Sequence, residues 1–256
     1  MRRADKPTPK TDDAPLAWKN LKSFLEHYLH HAWAAIITLT LLTLFFQLPP
    51  ALRQSIWQTL ADEKYVAQRY LLGMLFFFSL LAVSLLWSVG QRLDNWLFGY
   101  INWRGSRPLW LDRAMWAITQ IGNGFLALLG ALFFWIQGDK VLAGRMAFGS
   151  LTLWLVVELL KALIHRPRPF TLQTQIRVIG MTPLGRSFPS GHTSQAFFQT
   201  TLLLRYFSLD MGWAGLLVGL AVLVGVTRMY VGAHYPRDVL AGMILGTVFG
   251  FIAAVA

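Results

Sequence analysis

Residues 211–238 read MGWAGLLVGLAVLVGVTRMYVGAHYPRD. No charge interrupts the stretch until Arg228, and His234 and Asp238 follow within ten residues. An apolar run of about 20 residues matches the thickness of a bilayer's hydrocarbon core. Hydrocarbon cannot hydrogen-bond an open backbone, so such a run must be helical. Outward from this stretch, similar runs recur at about 32–48, 70–89, 112–136, 142–164, 192–208 and 237–256. Over its 256 residues the chain is 55% hydrophobic and only 14% charged, with a mean hydropathy of +0.47. Soluble domains carry about 25% charged residues, so this composition excludes an ordinary soluble globule and a disordered chain. A net charge of +11 could suggest a nucleic-acid binder. The basic residues are diluted among apolar runs, however, and form no solvated patch, which argues against that partner. There is no Cys, so disulfides, thiol chemistry and thiolate metal sites are impossible.

The predicted fold class is all-α: a polytopic membrane helical bundle with a six-helix core and an extra N-terminal apolar segment. Residues 1–30 read as a polar basic tail. Arg2, Arg3, Lys6, Lys10, Lys19 and Lys22 outnumber its acids there. The polar region is too long for a signal peptide, and no small-residue cleavage site follows the apolar run. Residues 31–69 hold the first apolar segment, which stops at Pro49-Pro50, and a connecting loop; residues 70–256 form the core. Within the core, 112–136 is the least uniform segment, because Arg113, Gln120 and Asn123 fall in its first half. Residues 91–111 mix Trp96, Trp103 and Trp110 with Arg92, Asp94, Arg104 and Arg107. That composition suits a helix lying on the membrane surface, ended by Gly105 and Pro108; an aromatic belt loop is the simpler alternative.

Charged residues at the ends of membrane segments point to function. After Glu158 the next carboxylate is Asp210, and between them stand Lys161, Arg166, Arg168, Arg177, Arg186 and Arg205 with His165 and His192. Such a cluster invites an anion, although a basic cytoplasmic loop would also produce it. Three patterns sharpen the reading. Lys161 and Arg168 flank a proline-fixed turn and would together grip a tetrahedral oxyanion. Ser190, Gly191 and His192 open the fifth apolar segment, where free backbone N–H groups and the helix dipole favour an anion. His192 could donate a proton there. Arg228 closes the sixth segment, and Asp238 follows His234 by four residues, a spacing at which a carboxylate can orient an imidazole. Each pattern has a plain structural reading: a snorkelling lysine with a basic loop, an N-cap serine, and a capping His–Asp pair. By the parity of the segments, all three lie on one face of the membrane.

Together these blocks resemble the type-2 phosphatidic acid phosphatase superfamily. The family signature is K-x6-RP, PSGH and SR-x5-H-x3-D. Here it reads Lys161 to Arg168-Pro169, Pro189-Ser190-Gly191-His192, and Thr227-Arg228 to His234 and Asp238. Thr227 stands where the family usually has Ser and keeps the hydroxyl. The resemblance covers about 110–256, more loosely 70–110, and does not reach the first 70 residues. It implies that His234 is the nucleophile, forming a phosphohistidine, that Asp238 orients it and that His192 is the acid. It further implies that Lys161, Arg168, Ser190, Gly191 and Arg228 hold the phosphate. No metal and no cofactor are expected. His165, Arg166, Arg177 and Arg186 lie outside the signature and read as a solvated loop, with contact to a headgroup as the other option.

The expected partners are the lipid bilayer and a membrane lipid phosphate, such as a polyprenyl diphosphate or a phospholipid phosphate; oligomeric state is left open. A lipid phosphotransferase with the same site and a non-catalytic lipid-binding or transport protein are the alternatives. The family's bacterial members place this site on the outer face of the inner (plasma) membrane. If all seven segments span, the basic tail shares that face, against the positive-inside rule. If 32–48 is interfacial or re-entrant, the tail becomes cytoplasmic and the site faces the periplasm. The outward site is the favoured expectation; a cytoplasmic site with seven spans is its competitor.

Overall fold

The computed structural model describes residues 66–102, 107–172 and 176–255, with isolated positions between 43 and 54. The chain divides into two units, Met1–Asp62 and Glu63–Ala256. The basic tail and nearly all of segment 32–48 lie outside the described residues.

The second unit contains helices α1 (Val66–Ser84), α2 (Ser88–Ile101), α3 (Leu109–Thr119), α4 (Gly124–Ile136), α5 (Lys140–Leu163), α6 (Gly191–Phe207), α7 (Met211–Tyr230) and α8 (Pro236–Val255). A 3-10 turn, Gln120–Gly122, joins α3 to α4, and a single helical turn, Pro169–Leu172, follows α5. Among the described residues there is no strand. Helices α1, α5, α7 and α8 are each long and apolar enough to cross a bilayer.

Segment 112–136, the least uniform in the sequence, is broken: α3 and α4 meet at 59°. The break falls at Gly122-Asn123-Gly124, where the Asn123 side chain accepts a hydrogen bond from Phe125 N (3.0 Å) and starts α4 afresh. A residue that caps a helix N-terminus competes with continuing the helix before it. The proposed surface helix also ends earlier than 105–108. It stops at Ile101, and Pro108 instead serves as the N-cap of α3. Helix α2 is two-faced as expected: Asp94 and Phe98 are buried, while Leu93, Trp96 and Tyr100 are exposed.

The 17-residue α6 rises only about 25 Å, less than the hydrocarbon core. It is nevertheless the hub. Thr193, Ser194, Gln195, Thr200 and Thr201 are buried along it, packed against α8. Three glycines of α8 at four-residue spacing, Gly242, Gly246 and Gly250, form the contact stripe. A Cβ on Gly242 would lie 2.6 Å from the Ser190 carbonyl, one on Gly250 2.5 Å from Thr201 Cβ, and one on Gly246 against the Ser194 carbonyl. Small residues let helix backbones approach this closely where no hydrophobic drive separates helix from lipid. On its other side α6 is tied to α5: Ser150 Oγ donates to Gln195 Oε1 and Gln195 Nε2 to the Ser150 carbonyl, both at 2.9 Å. This packing fixes the N-terminus of α6, where the site is built.

Candidate active site

Helix α7 ends at Tyr230 because Gly232 takes a left-handed φ of +83°. Its neighbours Ala233 and His234 turn their N–H groups back to the Arg228 carbonyl, at 3.0 and 3.2 Å. Any side chain at 232 would be strained and would meet the Arg177 carbonyl at 2.6 Å. This C-cap aims the His234 ring into the protein, where it is buried.

Nδ1 of His234 lies 2.7 Å from the Ser187 carbonyl. A carbonyl only accepts, so Nδ1 carries the proton and Nε2 keeps its lone pair. Nε2 lies 3.3 Å from Nη1 of Arg168. Burial pushes the imidazole well below its ordinary value, to about 3; the nearby Asp238 carboxylate opposes this, while Arg168 and Arg228 add to it. The ring is therefore neutral and its free nitrogen nucleophilic at pH 7.

The Asp238 carboxylate sits 3.7 Å from Nδ1, farther than a hydrogen bond. Its oxygens are held elsewhere. Ser187 Oγ donates to Oδ2 at 2.5 Å and Tyr235 N at 2.8 Å, while Arg166 Nη1 donates to Oδ1 at 2.5 Å. The immediate orienter of the ring is thus the Ser187 carbonyl, with Asp238 behind it as a nearby negative charge. Ser187 was not legible as a site residue, because its role depends on a main-chain oxygen.

Arg168 is buried. It donates to the carbonyls of Gly185 (3.1 Å), Leu184 (3.0 Å) and Ala233 (3.1 Å). Burial lowers its pKa, opposed by Asp238 and Glu158. Arg228 donates from Nη1 to Thr119 Oγ1 at 2.8 Å, and its Nε has no partner. Among the described residues neither arginine has a carboxylate within 4 Å. A buried guanidinium without a counter-ion is costly, so both are poised to take an anion. Lys161 is paired with Glu158 at 2.8 Å, and its Nζ would lie 3.9 Å from a Cβ on Gly191.

Ser190 begins α6, but its side chain does not cap the helix; the hydroxyl meets Thr193 Oγ1 at 2.9 Å. Its own N–H is anchored to the Asp238 carbonyl, 2.9 Å away. The Ser190 side chain therefore leaves the N–H groups of the first turn of α6 uncapped. His192 lies on the wall of two cavities. One, about 460 Å³, is lined by Trp116, Thr119, Ile179, Leu184 and Arg228. The other, about 230 Å³, is lined by Asn123, Trp154, Glu158, Lys161 and Gly191. Thr227 turns its hydroxyl to the Val224 carbonyl at 2.6 Å, within α7. At this position the hydroxyl serves the helix rather than the pocket.

The structure thus brings Lys161, Arg168, Ser190, Gly191, His192, Arg228, His234 and Asp238 around one region. It does not leave all remaining cations in a solvated loop. His165 and Arg186 are exposed, as expected. Arg166 is buried and ion-paired with both Asp94 and Asp238, and Arg177 pairs with Asp112. The counter-charges missing between Glu158 and Asp210 come from other helices. Among the described residues no three His, Asp or Glu side chains converge as a metal site would require.

The PAP2 superfamily profile matches residues 141–256. Undecaprenyl-diphosphatase BcrC of Bacillus subtilis is 31% identical over 145 residues, 56% of this chain and 72% of that protein. Phosphatidylglycerophosphatase B of the same organism is 32% identical over 164 residues, 57% of this chain and 75% of that protein. Among solved structures, a transmembrane PAP2-type phosphatidylglycerolphosphate phosphatase from Bacillus subtilis superposes with a TM-score of 0.59. It is 24% identical, and the match covers 72% of this chain and 93% of that one.

Proposed function

The chain belongs to the PAP2 superfamily, and from that premise we propose that it is an integral membrane lipid phosphatase working through a phosphohistidine on His234. The observation that carries this reading is a neutral imidazole, proton fixed on Nδ1 by the Ser187 carbonyl, whose unprotonated Nε2 accepts from Arg168 Nη1 at 3.3 Å. In the first step Nε2 attacks phosphorus, a P–N bond forms and the bond to the leaving oxygen breaks. His192 gives that oxygen a proton. The ring becomes cationic, and the Asp238 carboxylate stabilises it. In the second step water attacks the phosphohistidine, His192 takes the water's proton, and the P–N bond breaks to return neutral His234 and phosphate. Arg168, Arg228 and Lys161, with the first N–H groups of α6, hold the non-bridging oxygens. Those cations supply the charge stabilisation that a metal gives in other phosphoryl-transfer enzymes.

The substrate is a lipid phosphate or diphosphate, reached from the bilayer. Relatives named for undecaprenyl diphosphate and phosphatidylglycerophosphate hydrolysis favour a polyprenyl diphosphate or a phospholipid phosphate. The site then faces the outside of a bacterial inner membrane, where such lipids are recycled. Phosphate release by purified protein should be measured with undecaprenyl diphosphate, phosphatidylglycerophosphate, phosphatidate and lipid A, each with excess EDTA. Turnover of at least one of them, undiminished by the chelator, is the expected result. Loss of all activity with EDTA would contradict the metal-free step. Transfer of phosphate to an added lipid alcohol in place of water would instead favour the phosphotransferase reading.

A further inference from the structure

Four buried charges outside the family signature's phosphate-binding set form a continuous network behind the nucleophile. Arg166 bridges two carboxylates: Nη1 to Asp238 at 2.5 Å and Nη2 to Asp94. Nη2 also donates to Gln91 Oε1 at 2.9 Å. Asp94 accepts from Arg237 twice, from the backbone N at 3.1 Å and from Nε at 2.7 Å. Arg237 in turn donates from Nη1 to the Ser84 carbonyl at 2.6 Å, at the end of α1. All four are shut away from solvent: exposures are 2% for Asp94, 6% for Arg166, 8% for Arg237 and 0% for Asp238. The Arg166 guanidinium also stacks over the Tyr235 ring, 4.5 Å from its centroid. The network joins the loop after α5, the surface-type helix α2 and the start of α8.

Two guanidiniums and two carboxylates make this group neutral by itself. Arg166 is therefore fully compensated and has no charge to spare for a phosphate, unlike Arg168 and Arg228. Its contact with Asp238 is where it matters. Asp238 is 3.7 Å from Nδ1 of His234, so it acts through charge and place rather than through a direct bond. The groups that fix its place are Ser187, the Tyr235 N–H and Arg166. Only Arg166 among these is charged, and only Arg166 is itself anchored on a separate helix.

We propose that Arg166 is a positioning residue for the hydrolysis, held by Asp94 of α2, which fixes the Asp238 carboxylate where it can stabilise the cationic phosphohistidine. The inference rests on the phosphatase reading above. Because the stabilised charge arises on reaction, losing Arg166 should lower kcat and spare KM. Arg166→Gln is expected to lower kcat at least ~10-fold and to change KM less than about threefold. Arg166→Lys keeps the charge on a single nitrogen in place of the two that bridge Asp238 and Asp94, and should recover part of the loss. Asp94→Asn, which weakens the anchor of Arg166 and also the contacts of Arg237, should reproduce a smaller kcat loss with KM unchanged.

The experiment is steady-state kinetics on wild type and the three variants, using the lipid that wild type hydrolyses. Each protein is first checked for monodisperse elution and a cooperative thermal transition in detergent. If Arg166→Gln does not fold, Asp94→Asn and Arg166→Lys decide. A KM raised tenfold at unchanged kcat would place Arg166 on the substrate and overturn the inference. So would wild-type kinetics in Arg166→Gln, or in Asp94→Asn if that variant decides. A wild type that releases no phosphate from any lipid phosphate fails the phosphatase reading and takes this inference with it.

Discussion

His234 shows how much chemistry one residue acquires from its surroundings. The Ser187 carbonyl chooses its tautomer, and burial among guanidiniums keeps it neutral, with its pKa lowered to about 3. Between that value and the ordinary one of about 6.5, the unfolded chain binds a proton that the folded chain refuses. Stability therefore rises with pH across this window and is lost as pH falls through it. The same shift predicts activity. In a pH profile of kcat/KM, no loss of nucleophile should appear near pH 6.5, and the acidic limb assigned to His234 should lie below about pH 5. Titration of the His234 ring near pH 6.5, followed by its ¹⁵N chemical shifts in detergent, would contradict the shielded ring. The key side chains at this scale were legible in the sequence, because the motif spacings carry them. The Ser187 carbonyl and the Arg166–Asp94 pair were not: one is a main-chain atom, and the other joins residues 72 positions apart.

At the scale of elements, the apolar runs 142–164, 212–230 and 237–256 became α5, α7 and α8 with boundaries shifted by no more than two residues. Hydropathy reads such spans well, since lipid leaves the backbone no other solution. It fails at 112–136, where Asn123 between two glycines starts a new helix and bends the span by 59°. Segment 192–208 likewise became α6 to within one residue, although threonines, a serine and a glutamine are buried along it. The stripe Gly242, Gly246 and Gly250 on α8 seats that helix and, through the Ser190–Asp238 main-chain bond, the catalytic turn. Gly246→Leu should separate α6 from α8, lowering the midpoint of thermal unfolding in detergent by several degrees, as an overpacking cost of about 1–3 kcal/mol implies. Phosphate release should fall with it. An unchanged midpoint would mean that the two helices do not depend on this close approach.

For the whole molecule, the described helices support an integral membrane protein with the catalytic residues gathered at helix ends. The proposed orientation rests on charge: a basic tail of six Lys and Arg favours the cytoplasm, which leaves the site outside only if segment 32–48 does not span. The chain has no Cys, so single thiols report cleanly. With Lys10→Cys or Gln175→Cys in intact cells, a membrane-impermeant maleimide should label position 175 and not position 10. Labelling of both from outside would reject the re-entrant segment, and labelling of 10 alone would place the site in the cytoplasm.

The central claim is that His234 carries the phosphoryl group. It is tested most directly by acid-free quenching of purified protein with a ³²P-labelled lipid phosphate that the wild type hydrolyses, wild type against His234→Ala. Wild type should yield an acid-labile, base-stable phosphoprotein and release phosphate in the presence of EDTA, and His234→Ala should do neither. Equal phosphate release by the two proteins would contradict the account.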